Sequence, residues 1–325
     1  MTNVKPKRVV SLIASATEIV CALGARDLLV GRSHECDFPP EVARLPSLTE
    51  PKFLVTGTSY DIDARVKAIV QEGLSVYRVD AERLEALRPD IIVTQDQCDV
   101  CAVSLKDVEA ALCAWGGPKV EIVSLKPDGL ADIWEDIAKV ARALGRERQG
   151  ERLVKQLKAR MASIVEQSRT ARTRPSCAMI EWVDPLMAGG NWMPELVPLA
   201  GGENLFGVAG QPSPWLDWDE VVAADPDLIL VHPCGFDMAR TLQEMPLLEH
   251  RPGWRGLKAV RRGGIFVADG NQYFNRPGPR IVESLEILAE IFHPELFPSR
   301  HEVKGWMRYP AEPKVNEQSR CLRCD

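Results

Sequence analysis

RVVSLIASATEIVCALG, residues 8–24, holds a strand, a loop and a helix in seventeen residues. Arg8 to Ile13 is a β-branched apolar run that reads as a buried strand, and the small residues 14–17 form a loop. Glu18 then opens an apolar helical stretch that Gly24 closes. A strand feeding a helix through a short loop is the first half of a βαβ unit, so the rest of the chain is read for its repetition.

The unit recurs. In LEALRPDIIVTQ, residues 84–95, a short helix runs through a Pro-Asp break into a second buried strand, and residues 119–125 supply a third. The same order returns in the second half: a strand at 176–181, a helix at 193–199 ended by Gly201-Gly202, and EVVAADPDLILV at 220–231 matching 84–95. Residues 264–268 match 119–125. The expected fold is therefore α/β, with two similar lobes of mostly parallel sheet.

Gly24 and Gly201 are 177 residues apart, whereas Asp90 and Asp227 are 137 apart, so the first lobe carries about 40 extra residues, placed at 46–80. Residues 129–144 and 148–170 have helical spacing and lie between the lobes. The expected boundaries are 1–127 for the first lobe, 128–172 for linking helices, 173–297 for the second lobe and 298–325 for a polar tail ending in Cys321-x-x-Cys324.

The 325 residues are 45% apolar and 26% charged, which suits a well-cored globular chain and excludes disorder. Forty basic and 46 acidic residues leave a net charge of −6, without the basic footprint of a nucleic-acid binder. No run approaches the ~20 apolar residues of a transmembrane helix. The amino terminus, MTNVKPKRVVSLIAS, lacks the apolar core of a secretory signal, so a cytoplasmic location is expected. Nine cysteines in such a chain read as thiols, core fillers or metal ligands.

Ligands of open α/β sheets collect outside the carboxyl ends of the strands. In the first lobe those ends carry Ser15, Thr17, His34 and Gln95 as ligand-binding candidates. The second lobe contributes Glu181, Trp182, Asn191, Trp192 and Phe236, then Asn271, Tyr273, Phe274 and Arg276. The aromatic members suggest a large, partly apolar ligand. Arg276 and Arg280 suit a carboxylate or phosphate, or equally a pairing with Glu283 on the following helix. Cys36, Cys98, Cys101 and Cys234, near His34, have the donor chemistry for zinc or an iron–sulfur cluster. No nucleophile elbow, Walker loop, HExxH or GxGxxG after a strand is present, so catalysis has no motif behind it.

VVSLIASATEIVCALGARDLLVGRSHECDFPPEV, LEALRPDIIVTQ and AGGENLF resemble the substrate-binding proteins of the cobalamin and iron-complex uptake type, over about residues 7–293. The resemblance implies two α/β lobes joined by one long backbone helix, with a corrinoid, haem or siderophore-like metal complex held in the cleft between them. It places ligand contacts on loops 34–38, 95–104, 181–192 and 271–276. The uptake type presents one glutamate per lobe to a membrane partner; residues 102–107 offer none, and docking to a transporter is not expected. Two readings follow. One is a non-catalytic binding protein for a corrinoid or related metal complex; the other is a metal-thiolate protein with a redox or catalytic role.

Overall fold

The computed structural model describes residues 7–72, 74–96, 105–113 and 120–310. The first lobe contains β1 (Val9–Ser11), α1 (Ala14–Ala22), β2 (Leu29–Arg32), β3 (Thr49–Pro51), α2 (Ser59–Gln71) and β4 (Tyr77–Val79). It continues with α3 (Ala81–Leu87), β5 (Ile91–Gln95), α4 (Leu105–Cys113) and β6 (Glu121–Leu125). Two helices, α5 (Leu130–Ala143) and α6 (Glu147–Ser168), lead to the second lobe. That lobe comprises β7 (Ser176–Trp182), β8 (Met187–Ala188), α7 (Met193–Leu199), β9 (Glu203–Asn204), α8 (Trp218–Ala224) and β10 (Leu228–Val231). It closes with α9 (Met238–Glu249), α10 (Lys258–Arg262), β11 (Ile265–Ala268), α11 (Ile281–Phe292) and β12 (Trp306–Arg308).

Both lobes place their first strand inside the sheet, flanked on either side by later strands. The first sheet runs β2-β1-β5-β6, all parallel. In the second, β7 pairs in parallel with β9 and β10, and β10 with β11. The Pro-Asp break does the same work in each. Arg88 and Asp225 end the preceding helix in left-handed conformation, at φ 44° and 41°. The next aspartate then accepts a backbone N–H at the head of the lobe's first strand: Asp90 from Arg8 at 2.7 Å, Asp227 from Ser176 at 3.0 Å. One carboxylate thus sets the register of two neighbouring parallel strands.

Strands buried on both faces send alternate residues to opposite cores. Val9 and Ile91 face one core, Val10 and Ile92 the other. The first of these cores is shared by the whole molecule. It runs from Ile19 through Ile133 and Ile137 of α5 and Leu157, Met161 and Ile164 of α6 to Leu196, Leu285 and Leu288 of the second lobe. The 22 residues of α6, at 1.5 Å each, make a strut of about 33 Å.

The extra residues of the first lobe form the antiparallel pair β3-β4 and α2. A capping box fixes the start of α2: Thr58 Oγ1 accepts from the Asp61 N–H at 3.2 Å, and Asp61 accepts from the Thr58 N–H at 2.9 Å. Ser59 reaches the other lobe, donating through its N–H at 3.0 Å and its hydroxyl at 2.6 Å to Glu244 on α9. Arg240 donates to the Gly57 carbonyl at 2.6 Å. The extra segment is thus a strap across the two lobes. The region after 298 is also more ordered than a tail: β12 adds to the second sheet, antiparallel to β11. Cys321 and Cys324 lie outside the described residues.

Candidate functional site

A cavity of about 320 Å3 lies between the lobes. Its walls are the segments that leave the strands at their carboxyl ends. The first lobe contributes Ser15 after β1, Glu35 after β2, Gln95 at the end of β5 and Asp128 after β6. The second contributes Glu181 at the end of β7, Cys234 after β10, and Asn271 and Arg276 after β11, with Asn191 and Trp192 from the loop that enters α7. Close backbone approach holds these loops together. A Cβ on Gly270 would sit 2.1 Å from the Pro233 carbonyl oxygen, so only glycine lets the loops after β10 and β11 touch.

Two of the lining carboxyls are held away from their ordinary acidity. Glu181 accepts from the Ser213 hydroxyl at 2.7 Å and from the Gly190 N–H at 3.4 Å. Burial raises its pKa, against the pull of those two bonds. Gly190 permits this, because a Cβ there would lie 2.3 Å from the Ser213 nitrogen. Burial likewise raises Glu35 to about 7, outweighing the attraction of Arg276, while Asp37 pushes in the same direction as burial.

Arg276 reaches the cavity with its charge already matched. Its Nη1 donates to Asp37 at 2.6 Å and to Glu18 at 3.2 Å, and its Nη2 to the Asn271 side chain at 3.0 Å. Asn271 and Gln272 donate to the second Asp37 oxygen, at 3.2 and 2.7 Å. Burial works against ionisation of Asp37, and its bonds to Arg276, Asn271 and Gln272 together with the Arg276 charge more than reverse the effect, so the carboxylate titrates below its usual range. The expected pairing with Glu283 is corrected: both guanidiniums bond to Glu18 of the first lobe.

Seven of the thirteen ligand-binding candidates border the cavity: Ser15, Gln95, Glu181, Asn191 and Trp192, with Asn271 and Arg276. The others have structural employment. Thr17 is buried and bonds to Ser11 and the Cys36 sulfur. His34 is bonded to Thr49 at 2.7 Å and packs on Tyr77. Trp182 packs against Phe236 with the rings tilted, and Phe236 also carries the Arg240 guanidinium over its ring. Tyr273 meets His301 edge-on, and Phe274 is fully buried against His232. The aromatic wall expected of the second lobe is thus reduced to Trp192, whose Nε1 donates to the Phe274 carbonyl at 2.6 Å. Trp218 packs on Trp254, and Trp215 is exposed beneath Lys67.

Of the proposed metal ligands, Cys234 borders the cavity, while Cys36 is packed into the shared core. Burial lifts the Cys36 thiol to about 11, and its sulfur accepts from Thr17 at 3.0 Å, so it is a protonated filler rather than a ready thiolate. Cys98 and Cys101 lie outside the described residues. Among the described residues no three His, Cys, Asp or Glu side chains are grouped as a metal ion would need. Asp128 is a lining residue that strand-end reasoning passes over, whereas Glu35 follows the second strand and is within reach of that reasoning.

Residues 9–271 of this chain match the family described as periplasmic binding protein. An uncharacterised ABC transporter substrate-binding lipoprotein of Bacillus subtilis (strain 168) is 24% identical over 301 residues, covering 90% of this chain and 82% of the relative. A vitamin B12-binding protein of Vibrio parahaemolyticus is 23% identical over 310 residues, covering 90% and 91%. Among solved structures, the periplasmic haem-binding protein RhuT of Roseiflexus sp. RS-1 in apo form superposes with a TM-score of 0.66 at 25% identity, covering 89% of this chain and 99% of that one. No described helix is long and apolar enough to cross a membrane.

Proposed function

The chain belongs to the periplasmic binding protein family, and from that premise we propose that it binds a corrinoid or closely related metal complex, without chemistry, in the cleft between its lobes. The observation that carries this reading is the wall of the cavity. Side-chain amides from both lobes, Gln95, Asn191 and Asn271, border one space together with the Trp192 indole. Amides present a donor and an acceptor together, which matches the amide arms around a corrin ring, and the indole offers a flat apolar face to the macrocycle. Similarity to a vitamin B12-binding protein along 90% of the chain supports the same class.

Titrating the purified chain with cobalamin, cobinamide and haemin, while following ligand absorbance and tryptophan emission, tests the reading. Saturable binding tighter than about 100 μM, which corresponds to roughly 5.5 kcal/mol, is the expected result. Absence of saturation by any of the three would end it.

A further inference from the structure

The cavity between the lobes has an acidic lining. Three carboxyls border it, Glu35, Asp128 and Glu181, and one cation, Arg276. That cation is neutralised by Asp37 and Glu18. A ligand bringing carboxylates of its own would meet acidic walls and an arginine already paired with two protein carboxylates. Haem carries two propionates at its edge; a corrinoid carries amides.

Resting on the reading of the cleft as a tetrapyrrole site, we propose that Glu35 and Glu181, one from each lobe, are its specificity-determining residues, admitting an amide-bearing neutral or cationic complex and rejecting a carboxylate-bearing one. The geometry gives each a distinct part. Glu181 is tethered by Ser213 and Gly190, so its carboxyl is fixed in direction. Glu35 has one attractive partner, Arg276 across the cleft; Asp37 and the Cys36 thiol of its own loop are its other titratable neighbours. An amide arm satisfies such a carboxyl in either protonation state, since it can accept from the acid or donate to the anion. A carboxylate arm can only accept, and it is repelled once the wall ionises.

Rejection therefore depends on pH with a defined sign. Glu35, raised to about 7, gains its charge as pH rises from 6 to 8 and so excludes anions more strongly. Haemin should bind at least fivefold more weakly at pH 8 than at pH 6, whereas neutral dicyanocobinamide should change less than twofold.

The test compares these two probes on the full chain and on Glu35→Gln/Glu181→Gln, with circular dichroism to confirm that the variant is folded. The wild type should favour dicyanocobinamide over haemin by at least tenfold. The double variant should bind haemin about tenfold more tightly than the wild type and lose the pH dependence. If both probes bind but the preference is the same in variant and wild type, the specificity assignment is overturned while the tetrapyrrole reading stands. Haemin binding to the wild type that does not vary with pH overturns the assignment without recourse to any variant. If neither probe binds the wild type, the tetrapyrrole reading fails and takes the assignment with it.

Discussion

Glu18 and Arg280 belong to different lobes and are 262 residues apart, yet both oxygens of the carboxylate are taken by one guanidinium. Nε donates to Oε2 at 2.9 Å and Nη2 to Oε1 at 2.5 Å, and Arg276 adds a third bond to the same carboxylate. All three side chains are buried. A buried charge stripped of its partner costs far more than the intact pair contributes, so this contact governs how firmly the lobes are held together.

Glu18→Ala is accordingly expected to destabilise the protein by about 3–5 kcal/mol in urea unfolding, because it strands Arg280 and half-strands Arg276. Glu18→Leu with Arg280→Met removes both charges and leaves Arg276 its Asp37 partner. The double variant should lose less stability than the single one. A larger loss in the double variant would show that the pair itself is the source of stability.

Glu35 opposes folding whenever it is ionised. Its folded pKa of about 7 lies above the ordinary 4.5, so the folded state holds the proton more tightly. Stability arising from this group is present below pH 4.5 and is lost as pH rises toward 7. Glu35→Gln should therefore stabilise the protein by on the order of 1–3 kcal/mol above pH 7 and by nothing near pH 4, read as the difference between two stability-against-pH curves.

Residues bordering the cavity should separate from those that only surround it. Gln95→Ala and Asn191→Ala are each expected to weaken cobinamide binding about five- to tenfold, the cost of roughly one hydrogen bond. Thr17→Val and His34→Ala should lower the melting temperature and leave affinity within twofold. An affinity loss at His34 equal to that at Gln95 would return His34 to the site.

A cavity of 320 Å3 is at the foot of the ~300–1,000 Å3 range of small-molecule sites and smaller than a corrin with its arms. Ligand has to part the lobes slightly, against α6, the Glu18 cluster and the Ser59–Glu244 strap. The radius of gyration from X-ray scattering should stay equal or grow by about 1 Å on saturation. Contraction by several ångströms would contradict this, and Ser59→Ala with Glu244→Gln should enlarge the expansion.

Metal content after anaerobic purification checks the cysteines. Cys36→Ala should leave it unchanged, because this thiol is buried, protonated and bonded to Thr17. It should cost roughly 1–2 kcal/mol of stability through a small core cavity. A fall in bound metal on this substitution would make Cys36 a ligand.

The fold was legible wherever the signal was periodic or local. The run 8–13, the Pro-Asp breaks at 89–90 and 226–227, and the stripe of Leu157, Met161 and Ile164 each announce an element from their own neighbourhood. Strand ends led to Ser15, Gln95, Asn191 and Asn271 because parallel sheets deliver those positions to one side. The failures are non-local. Nothing near Trp182 or Phe236 records that each will pack against the other, and nothing near Arg280 names Glu18 as its partner. The raised pKa of Glu35 arises only once folding has buried it.

The core that threads both lobes through α5 and α6 also decides how the molecule comes apart. Neither lobe owns a complete interior: severing the chain at the turn between those helices would lay bare Ile137, Leu157 and Met161 on one fragment or the other. Calorimetry should accordingly register one endotherm whose van't Hoff and calorimetric enthalpies agree, despite the repeated plan of the sequence. On that outcome two similar halves form a single cooperative unit, and a lesion in the shared core lowers the stability of both.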